Sequence, residues 1–247
     1  MEIDFSRYDC IHCKSRDCSI LKNCNYETLQ TLSTFKICGV LKEGEALFVK
    51  GDEIKGVYFI KEGFIKIESM SRGNRPLILR VVGKGSILGS RINLNEKHKH
   101  HTFSAVAGSE VAYCYVPNIV FKNIVARSSV LRQEILDKSI EELQFAEMKA
   151  VNLAIKNVRE NLAEALLMLA EVYQYEGEYQ SFKINFQRQD IADMIGTTKE
   201  QVSKILKDFE KEGLIKCKAK KFQYLNVKGL LALSTGTNYD EIANSAV

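Results

Sequence analysis

The sequence lacks the features of a membrane protein, an exported protein or an enzyme. None of its apolar runs approaches the roughly 20 residues that a membrane-spanning helix needs. Residues 1–9 lack the basic and apolar segments of a secretory signal, so we expect a cytoplasmic protein. We find no nucleophile–base constellation, no phosphate-binding glycine loop and no paired-carboxylate motif, which argues against catalysis.

Net charge is low overall, at +4, but it is unevenly distributed. The segment Lys183–Lys228 holds 11 basic and 6 acidic residues, a net charge of +5, which leaves the rest of the chain at −1. A localised basic excess is typical of modules that bind polyanions such as DNA. Because a solvated surface has the same signature, the side chains within the segment decide between the two.

The stretch from Phe35 to about Val120 has the pattern of short β-strands. Apolar runs such as Val57–Ile60 and Val111–Val116 alternate with turn signals such as Gly51-Asp52. So many short strands at close spacing predict a sandwich or a small barrel.

Glycine is absent from Pro117 until Gly177, and helix-forming residues dominate there. A stripe within this stretch has the 3 and 4 residue spacing of a two-helix coiled-coil seam: Leu136, Ser139, Leu143, Ala146, Ala150 and Leu153. We therefore predict a dimerisation helix and a homodimer. A second stripe is expected to pack on the chain's own core: Val151, Ile155, Val158 and Leu162.

The basic segment has the layout of two helices joined by a tight glycine turn. Gln187–Ile195 and Lys199–Glu212 carry apolar residues at helical spacing, and Gly196 lies between them. Thr198 is placed to cap the second helix, and Gln201 completes a capping-box pattern. This arrangement is typical of a helix-turn-helix.

The outward face of the second helix carries side chains suited to reading base edges, because Lys donates to guanine, Glu accepts from cytosine and Ser is adaptable. Two strand-like runs, Leu214–Cys217 and Phe222–Val227, add a hairpin wing whose lysines Lys216–Lys221 suit phosphates. The predicted DNA contacts are Arg188, Thr198, Lys199, Glu200, Gln201, Ser203, Lys204 and Lys207. A dimer would present two such helices to a near-palindromic site in double-stranded DNA.

Together these motifs resemble the Crp/Fnr superfamily of bacterial transcription regulators. The resemblance rests on the long helix and on the stretches LKEGEALFVKGDEIKGVYFIKEGFIK, Val111–Val116 before Pro117, and INFQRQDIADMIGTTKEQVSKILKDFEKEGLI. It implies an α+β fold: an N-terminal antiparallel β-roll of the cyclic-nucleotide-binding jelly-roll type, the dimerisation helix and a C-terminal winged helix-turn-helix. The reading-helix pattern Glu-x-x-Ser-Arg of the Fnr branch occurs here with Lys204 in place of arginine. The lysine keeps the positive charge but lacks the planar guanidinium that donates two hydrogen bonds to guanine.

On this basis we divide the chain into five segments. They are a cysteine-rich leader (1–30), a β-roll sensor domain (31–125), the dimerisation helix (126–160), the winged helix-turn-helix domain (161–235) and a tail (236–247). The resemblance implies a sequence-specific transcription regulator, with RNA polymerase as a further partner.

Seven cysteines are many for a cytoplasmic chain, and four of them fall between residues 10 and 24. The run Cys10-x2-Cys13-x4-Cys18-x5-Cys24 is compatible with an iron–sulphur cluster, with zinc or with no metal. Cys38 and Cys217 are interpreted as small apolar fillers of strands.

Fnr-like oxygen sensors bind a 4Fe–4S cluster through leader cysteines and one cysteine from the strand that ends the roll. The matching residues of this sequence are Ile11-His12-Cys13, Asp17-Cys18-Ser19-Ile20, Cys24 and Cys114. The resemblance therefore implies that Cys114 is joined either by Cys10, Cys13 and Cys18 or by Cys13, Cys18 and Cys24.

Such a cluster would make the protein a sensor of oxygen, nitric oxide or redox state, with loss of the cluster freeing the leader and reorienting the dimer helices. In the Fnr branch an acidic seam residue helps to loosen the dimer; Ala146 stands at that position, so we predict that the cluster-free form stays dimeric. The alternatives are a small-ligand-binding regulator of the Crp type, a thiol- or zinc-dependent regulator without a cluster, and an iron–sulphur electron carrier or enzyme with a coincidental helix-turn-helix.

The Crp branch holds a cyclic nucleotide through a Gly-Glu pair and an Arg-Ser or Arg-Thr pair. Here Gly89-Ser90-Arg91 lacks the glutamate, and the loop Glu96–Phe103 lacks the second pair, which argues against that ligand. We interpret His98, His100 and His101 in the same loop as solvated surface rather than as haem or metal ligands.

Overall fold

A computed structural model describes residues 9–70, 76–89, 99–173, 181–183, 186–218 and 221–235. The chain divides into two compact units. The first comprises the residues up to Ser69 together with Val81–Phe145, and the second comprises Met70–Arg80 together with the residues from Ala146 onward.

The leader, described from residue 9, consists of consecutive tight turns that end at a capped helix. The amide of Arg16 donates to the carbonyl of Cys13 (2.9 Å), and the amide of Ser19 donates to that of Arg16 (3.0 Å). Helix α1 (Tyr26–Phe35) follows, and the Asn25 side chain caps it by accepting from the amide of Thr28 at 3.0 Å. The leader is thus folded onto the roll through local hydrogen bonds and buried apolar residues, not through a strand.

Antiparallel strands follow the leader and form the roll. Their bounds are β1 (Ile37–Leu41), β2 (Ala46–Phe48), β3 (Gly56–Glu62), β4 (Ile65–Met70), β5 (Pro76–Val82), β6 (Ile87–Leu88), β7 (Ser104–Ala107) and β8 (Val111–Pro117). One sheet has the order β1-β8-β3-β6, and in the other β7 lies between β2 and β4. Val57, Ile65, Ala105 and Val111 are fully buried in the core of the roll, as the alternating pattern predicts.

Two helices leave the roll. Pro117 ends β8, and α2 (Asn118–Arg127) follows it directly. Helix α3 (Ser129–Ile155) begins with Leu131 and Ile135 buried in the core of the first unit. The guanidinium of Arg132 donates to the carbonyls of Val125 (2.9 Å) and Ala126 (2.7 Å), which satisfies acceptors left open at the end of α2.

The second unit is built around a helix-turn-helix. Its elements are α4 (Val158–Val172), β9 (Ser181–Lys183), α5 (Arg188–Ile195), α6 (Lys199–Lys211), β10 (Ile215–Lys218), β11 (Lys221–Tyr224) and α7 (Val227–Thr235). Asn157 and Glu160 form a reciprocal capping box that separates α4 from α3. The sheet order is β10-β11-β9.

Together, the two units give the predicted fold class: antiparallel sheets, a long helix and a C-terminal winged helix-turn-helix. One local expectation is corrected. The last predicted strand ends at Tyr224, because Val227 already begins α7, where the Asn226 side chain accepts from the amide of Gly229 at 2.7 Å. The predicted tail, 236–247, lies outside the described residues. Within the described part of the chain, no helix is long and apolar enough to cross a membrane.

Candidate DNA interface and cysteine site

The turn between α5 and α6 has the geometry that the glycine pattern predicts. Gly196 ends α5 in the left-handed conformation, at φ 70°. A side chain is rarely tolerated there, so the glycine sets the angle at which the chain enters α6. The Thr198 hydroxyl accepts from the amide of Gln201 at 3.2 Å, as a cap should. The capping box is only half formed, because the Gln201 side chain meets the Thr197 hydroxyl instead.

Helix α6 has one buried face and one free face. Val202, Leu206 and Phe209 are buried, whereas Ile205, expected to point inward, is only half-buried. The residues predicted to contact DNA that are exposed are Thr198, Lys199, Glu200, Gln201, Lys204 and Lys207. Ser203 is half-buried, and its hydroxyl donates to the carbonyl of Lys199 at 2.8 Å, which leaves its oxygen free to accept.

The wing packs beside the helix-turn-helix through Arg188. Its guanidinium lies 3.5 Å from the sulfur of Cys217, and the amide of Cys217 donates to Glu210 at 2.8 Å. Burial raises the pKa of the half-buried Cys217, which favours its thiol form, and its role as a small apolar filler stays a prediction. Lys216 and Lys218 are exposed on β10, while residues 219 and 220 lie outside the described residues.

The far end of α6 is attached to α4. The Arg159 guanidinium forms an ion pair with Glu212 and lies over the ring of Phe209, 4.7 Å from its centroid. These contacts hold the C-terminal end of α6 on α4, and a reading element needs such support in order to present its side chains in a fixed register.

The exposed side of α3 carries an apolar stripe. Leu136, Leu143 and Leu153 of the predicted seam are 53%, 56% and 49% exposed, and Ala146 and Ala150 are exposed as well. Ser139 is half-buried and donates to the carbonyl of Ile135. Of the second stripe, Leu162 is buried, but Val151 and Ile155 are exposed, so the expectation that this stripe packs on the chain's own core is wrong for them.

Three of the predicted ligand cysteines border one cavity in the first unit. Cys10, Cys13 and Cys114 line a space of about 40 Å³, whose wall also includes Phe59 and Lys61. The amide of Cys10 donates to the Ser33 hydroxyl at 2.6 Å, which attaches the leader to α1 at Cys10. The strand β8 supplies Cys114, as predicted from its position before Pro117.

Cys18 lies beside the same cavity, against Gly85. A Cβ atom on Gly85 would lie 2.2 Å from the carbonyl oxygen of Cys18 and 2.8 Å from its sulfur. Gly85 itself lines the cavity. The side chain of Cys18 is exposed, and its sulfur lies 3.4 Å from the carbonyl of Ser15.

Cys24 has a different environment. It is buried, and its sulfur points to the carbonyl of Ile20 at 3.8 Å. Burial, with the Glu134 carboxylate nearby, raises the pKa of Cys24 to about 11. The leader also reaches α3 here, because the Asn23 amide donates to Glu134 at 2.7 Å.

Cys38 faces Cys114 across the β1–β8 pair. The two residues are register partners, and their sulfurs are 3.2 Å apart. The hydrogen bond between the two sulfurs lowers the pKa of Cys38 and raises the pKa of Cys114. Cys38 packs against the core, as expected of a filler, but its closest polar contact is a candidate ligand, which the sequence did not indicate.

The donor set fits an iron–sulphur cluster in its chemistry, because such clusters take thiolate ligands, and Cys10 and Cys13 line the same cavity as Cys114. The sulfurs do not yet converge: among the residues that the structure describes, no three His, Cys, Asp or Glu side chains are grouped as for a metal ion. Since the cavity has room for only a few water molecules, loading requires the leader to shift.

The histidine loop is only partly described. His98 and the Ser90-Arg91 pair lie outside the described residues. His100 is exposed, as expected, but His101 is buried and its ring stacks on Phe48, with 3.5 Å between ring centroids. The interpretation of all three histidines as surface is therefore wrong for His101, whose ring is part of the core.

Comparison with known proteins follows the same division. The chain matches the family model of the cyclic nucleotide-binding domain over residues 39–128 and that of the Crp-like helix-turn-helix domain over residues 160–233. It is 27% identical over 239 residues to the anaerobic regulatory protein of Haemophilus influenzae (94% of this chain, 91% of that protein). It is 26% identical over 235 residues to the fumarate and nitrate reduction regulatory protein of Escherichia coli K12 (92% of each).

Solved structures share the fold. FixK2 from Bradyrhizobium japonicum superposes with a TM-score of 0.71 at 19% identity and covers 80% of this chain and 96% of its own. A transcriptional regulator of the crp/fnr family from Eubacterium rectale gives a TM-score of 0.65 at 18% identity, with 85% and 95% covered. The relatives and structural neighbours are regulators, not enzymes.

Proposed function

This chain belongs to the Crp/Fnr family of DNA-binding transcriptional regulators, and we propose that it acts as a homodimer that senses oxygen, nitric oxide or redox state through a 4Fe–4S cluster. The single observation that supports the sensing role is that Cys10 and Cys13 of the leader line the same cavity as Cys114. We place the protein in the cytoplasm, where its DNA is, with RNA polymerase as a further partner.

The exposed face of α6 supports sequence-specific binding. Glu200, Ser203 and Lys204 lie on one face, where they would meet base edges, and Lys207 and Lys216 flank them, where they would meet phosphates. A two-fold dimer places two such helices on a near-palindromic site.

Paired substitutions test these roles. Lys204→Ala removes a base contact and is expected to reduce the preference for an inverted-repeat duplex over a scrambled one by about 1 to 3 kcal/mol. Lys216→Ala is the matched control: it removes a phosphate contact, so both duplexes weaken equally and the salt slope falls by about one. Fluorescence anisotropy across a salt series measures both. Equal weakening of the two duplexes by Lys204→Ala would contradict the assignment.

The apolar stripe of α3 supports the dimer. Three leucines about half exposed on one helix face are unfavourable in water and are typical of a surface that a second copy covers. Ala146 and Ala150 in the same stripe allow two helices to approach closely.

The cysteines would hold the cluster as follows. Cys13, Cys18 and Cys114 belong to both candidate sets, and Cys10 or Cys24 supplies the fourth thiolate. Cys10 borders the cavity, whereas Cys24 corresponds to the cysteine pattern of the Fnr branch. When bound, such a cluster supplies iron that reacts with oxygen and nitric oxide.

The leader's own contacts would carry the signal to the dimer helix. Cys10 is tied to α1 through Ser33, and Asn23 is tied to α3 through Glu134. Leader docking therefore adds contacts to the N-terminal part of α3, and release of the leader removes them. We propose that this difference shifts α3 between DNA-competent and DNA-incompetent arrangements.

An anaerobic reconstitution tests the cluster. The wild-type protein is expected to turn brown, to bind about four iron ions and to bleach in air. Cys10→Ser and Cys24→Ser are the discriminating pair, because the variant that lacks a true ligand loses iron while the other keeps it. A colourless protein whose DNA affinity rises with an added metabolite would instead support a small-ligand regulator.

A further inference from the structure

Cys38 and Cys114 form a pair of neighbouring thiols, of which the cluster proposal uses only Cys114. They are direct partners in the antiparallel ladder between β1 and β8, so their side chains point to the same side of the sheet. Their sulfurs are 3.2 Å apart, and an S–S bond requires a further approach of about 1 Å.

The backbone already satisfies the needs of a bond between them. Directly paired antiparallel residues have Cα atoms about 4.5 or 5.5 Å apart, and both distances lie within the range that disulfides span. The pairing is continuous from Ile37 to Leu41 without a bulge, so the register is fixed by neighbouring hydrogen bonds. Closing the bond therefore needs only side-chain rotation.

Access is unequal within the pair. Cys38 is half-buried, whereas Cys114 is 7% exposed and sits on the central strand between β1 and β3. A small oxidant reaches the Cys38 sulfur first, and Cys114 is the nearest thiol to resolve the product.

We propose that Cys38 and Cys114 form a reversible disulfide when the cluster-free protein meets a peroxide. In the first step the Cys38 sulfur takes one oxygen from hydrogen peroxide, which gives a sulfenic acid and one water. In the second step the Cys114 thiol attacks that sulfur, which forms the S–S bond and releases a second water. Reduction by a small thiol restores both cysteines.

This bond has a consequence for the cluster, and that consequence rests on the proposed function. A Cys114 sulfur held by Cys38 has no thiolate to give to iron, so the oxidised protein cannot assemble a complete ligand set. Oxidation would thus keep the protein in its cluster-free form. Assembly of the cluster would then require a thiol reductant in addition to iron and sulphide.

Peptide mapping tests the bond in the full-length, metal-free protein. Trypsin places Cys38 in residues 37–42 and Cys114 in residues 100–122, with one cysteine in each peptide, while the leader cysteines fall in other peptides. After treatment with hydrogen peroxide and blocking of free thiols, the linked pair 37–42 and 100–122 is expected, and dithiothreitol should abolish it. Cys38→Ser should lose this species, and Cys217→Ser, the matched control, should keep it.

A second readout tests whether the disulfide prevents cluster assembly. Peroxide-treated wild-type protein is expected to take up little iron until it is reduced, whereas Cys38→Ser takes up iron directly; circular dichroism checks that both are folded. A Cys114 peptide that stays unlinked, or that links to a leader peptide, overturns the proposal. If the linked pair forms but reduced protein never binds iron, the disulfide stands and the cluster proposal fails.

Discussion

At Gly85 the backbone of the roll lies directly against Cys18 of the leader. Its φ of +86° is a left-handed conformation, and a Cβ would also collide with the backbone of Cys18. Two independent constraints therefore require glycine at a wall of the cysteine cavity. The closeness of this contact makes the placement of Cys18 sensitive to a single methyl group.

Gly85→Ala is expected to destabilise the first unit and to reduce iron loading. An alanine in left-handed backbone costs about 1 to 2 kcal/mol, and the collision with Cys18 adds to that cost. Gly44→Ala is the matched control, because Gly44 has a φ of +89° but nothing within 4 Å of its Cβ position. Urea unfolding and iron content measure both effects. Equal iron loss in the two variants would show that backbone strain alone is responsible.

His101 predicts a pH dependence of stability. Burial lowers the pKa of His101 below its ordinary value of 6.5, and nearby Asp52 only partly opposes this. As the pH falls, His101 is therefore protonated in the unfolded chain before it is protonated in the folded protein. The contribution of neutral His101 to folding stability is present above pH 6.5 and is lost as the pH falls below that value. Urea unfolding on either side of that pH should show this loss. His101→Gln should remove the slope, and His100→Gln, at an exposed position, should retain it.

The pairing of Cys38 with Cys114 could not be predicted from the sequence. The two residues are 76 positions apart, and their contact depends on the register of β1 against β8. A slip of one residue would turn Cys38 to the other side of the sheet. The four leader cysteines, by contrast, stand out in the sequence because they lie between residues 10 and 24, and their role as ligands, which the resemblance to Fnr-like sensors implies, stays a prediction.

At the scale of elements, helix α6 was predictable and helix α3 only in part. The apolar residues of α6 recur at helical spacing against one core, so its buried and free faces follow from the pattern. In α3 nearly every face carries apolar residues, and the sequence does not say which of them the chain itself covers. Val151 and Ile155 were assigned to the wrong surface for that reason.

Leu143→Glu is expected to dissociate the dimer. Each dimer loses two buried leucines at about 1.5 to 3 kcal/mol each, which raises the dissociation constant by a factor of about 100 or more. Gln144→Glu makes the same change of one charge at an exposed position on another face of α3, so it should leave the constant nearly unchanged. Analytical ultracentrifugation compares the two variants. A Leu143→Glu protein that stays dimeric would place the interface elsewhere.

At the scale of the whole molecule, the dimer is expected to survive loss of iron. Ala146 is exposed within the stripe and brings no charge against its counterpart, so nothing in the seam repels when the leader is released. Sedimentation velocity at micromolar concentration should show dimers with and without iron. Ala146→Asp, which introduces the missing charge, should make the metal-free dimer weaker and salt-dependent. Monomers of metal-free wild-type protein would reject a switch by reorientation.

Helix α3 extends far beyond the point at which the leader contacts it. Asn23 of the leader donates a hydrogen bond to Glu134, near the start of α3. The helix continues without interruption to Ile155, about 30 Å farther along its axis. A tilt of about 5° at the end near Glu134 becomes a displacement of about 3 Å at the other. The hydrogen bond between Asn23 and Glu134 therefore lies near the end of α3 at which a small change of tilt produces the largest displacement of the opposite end.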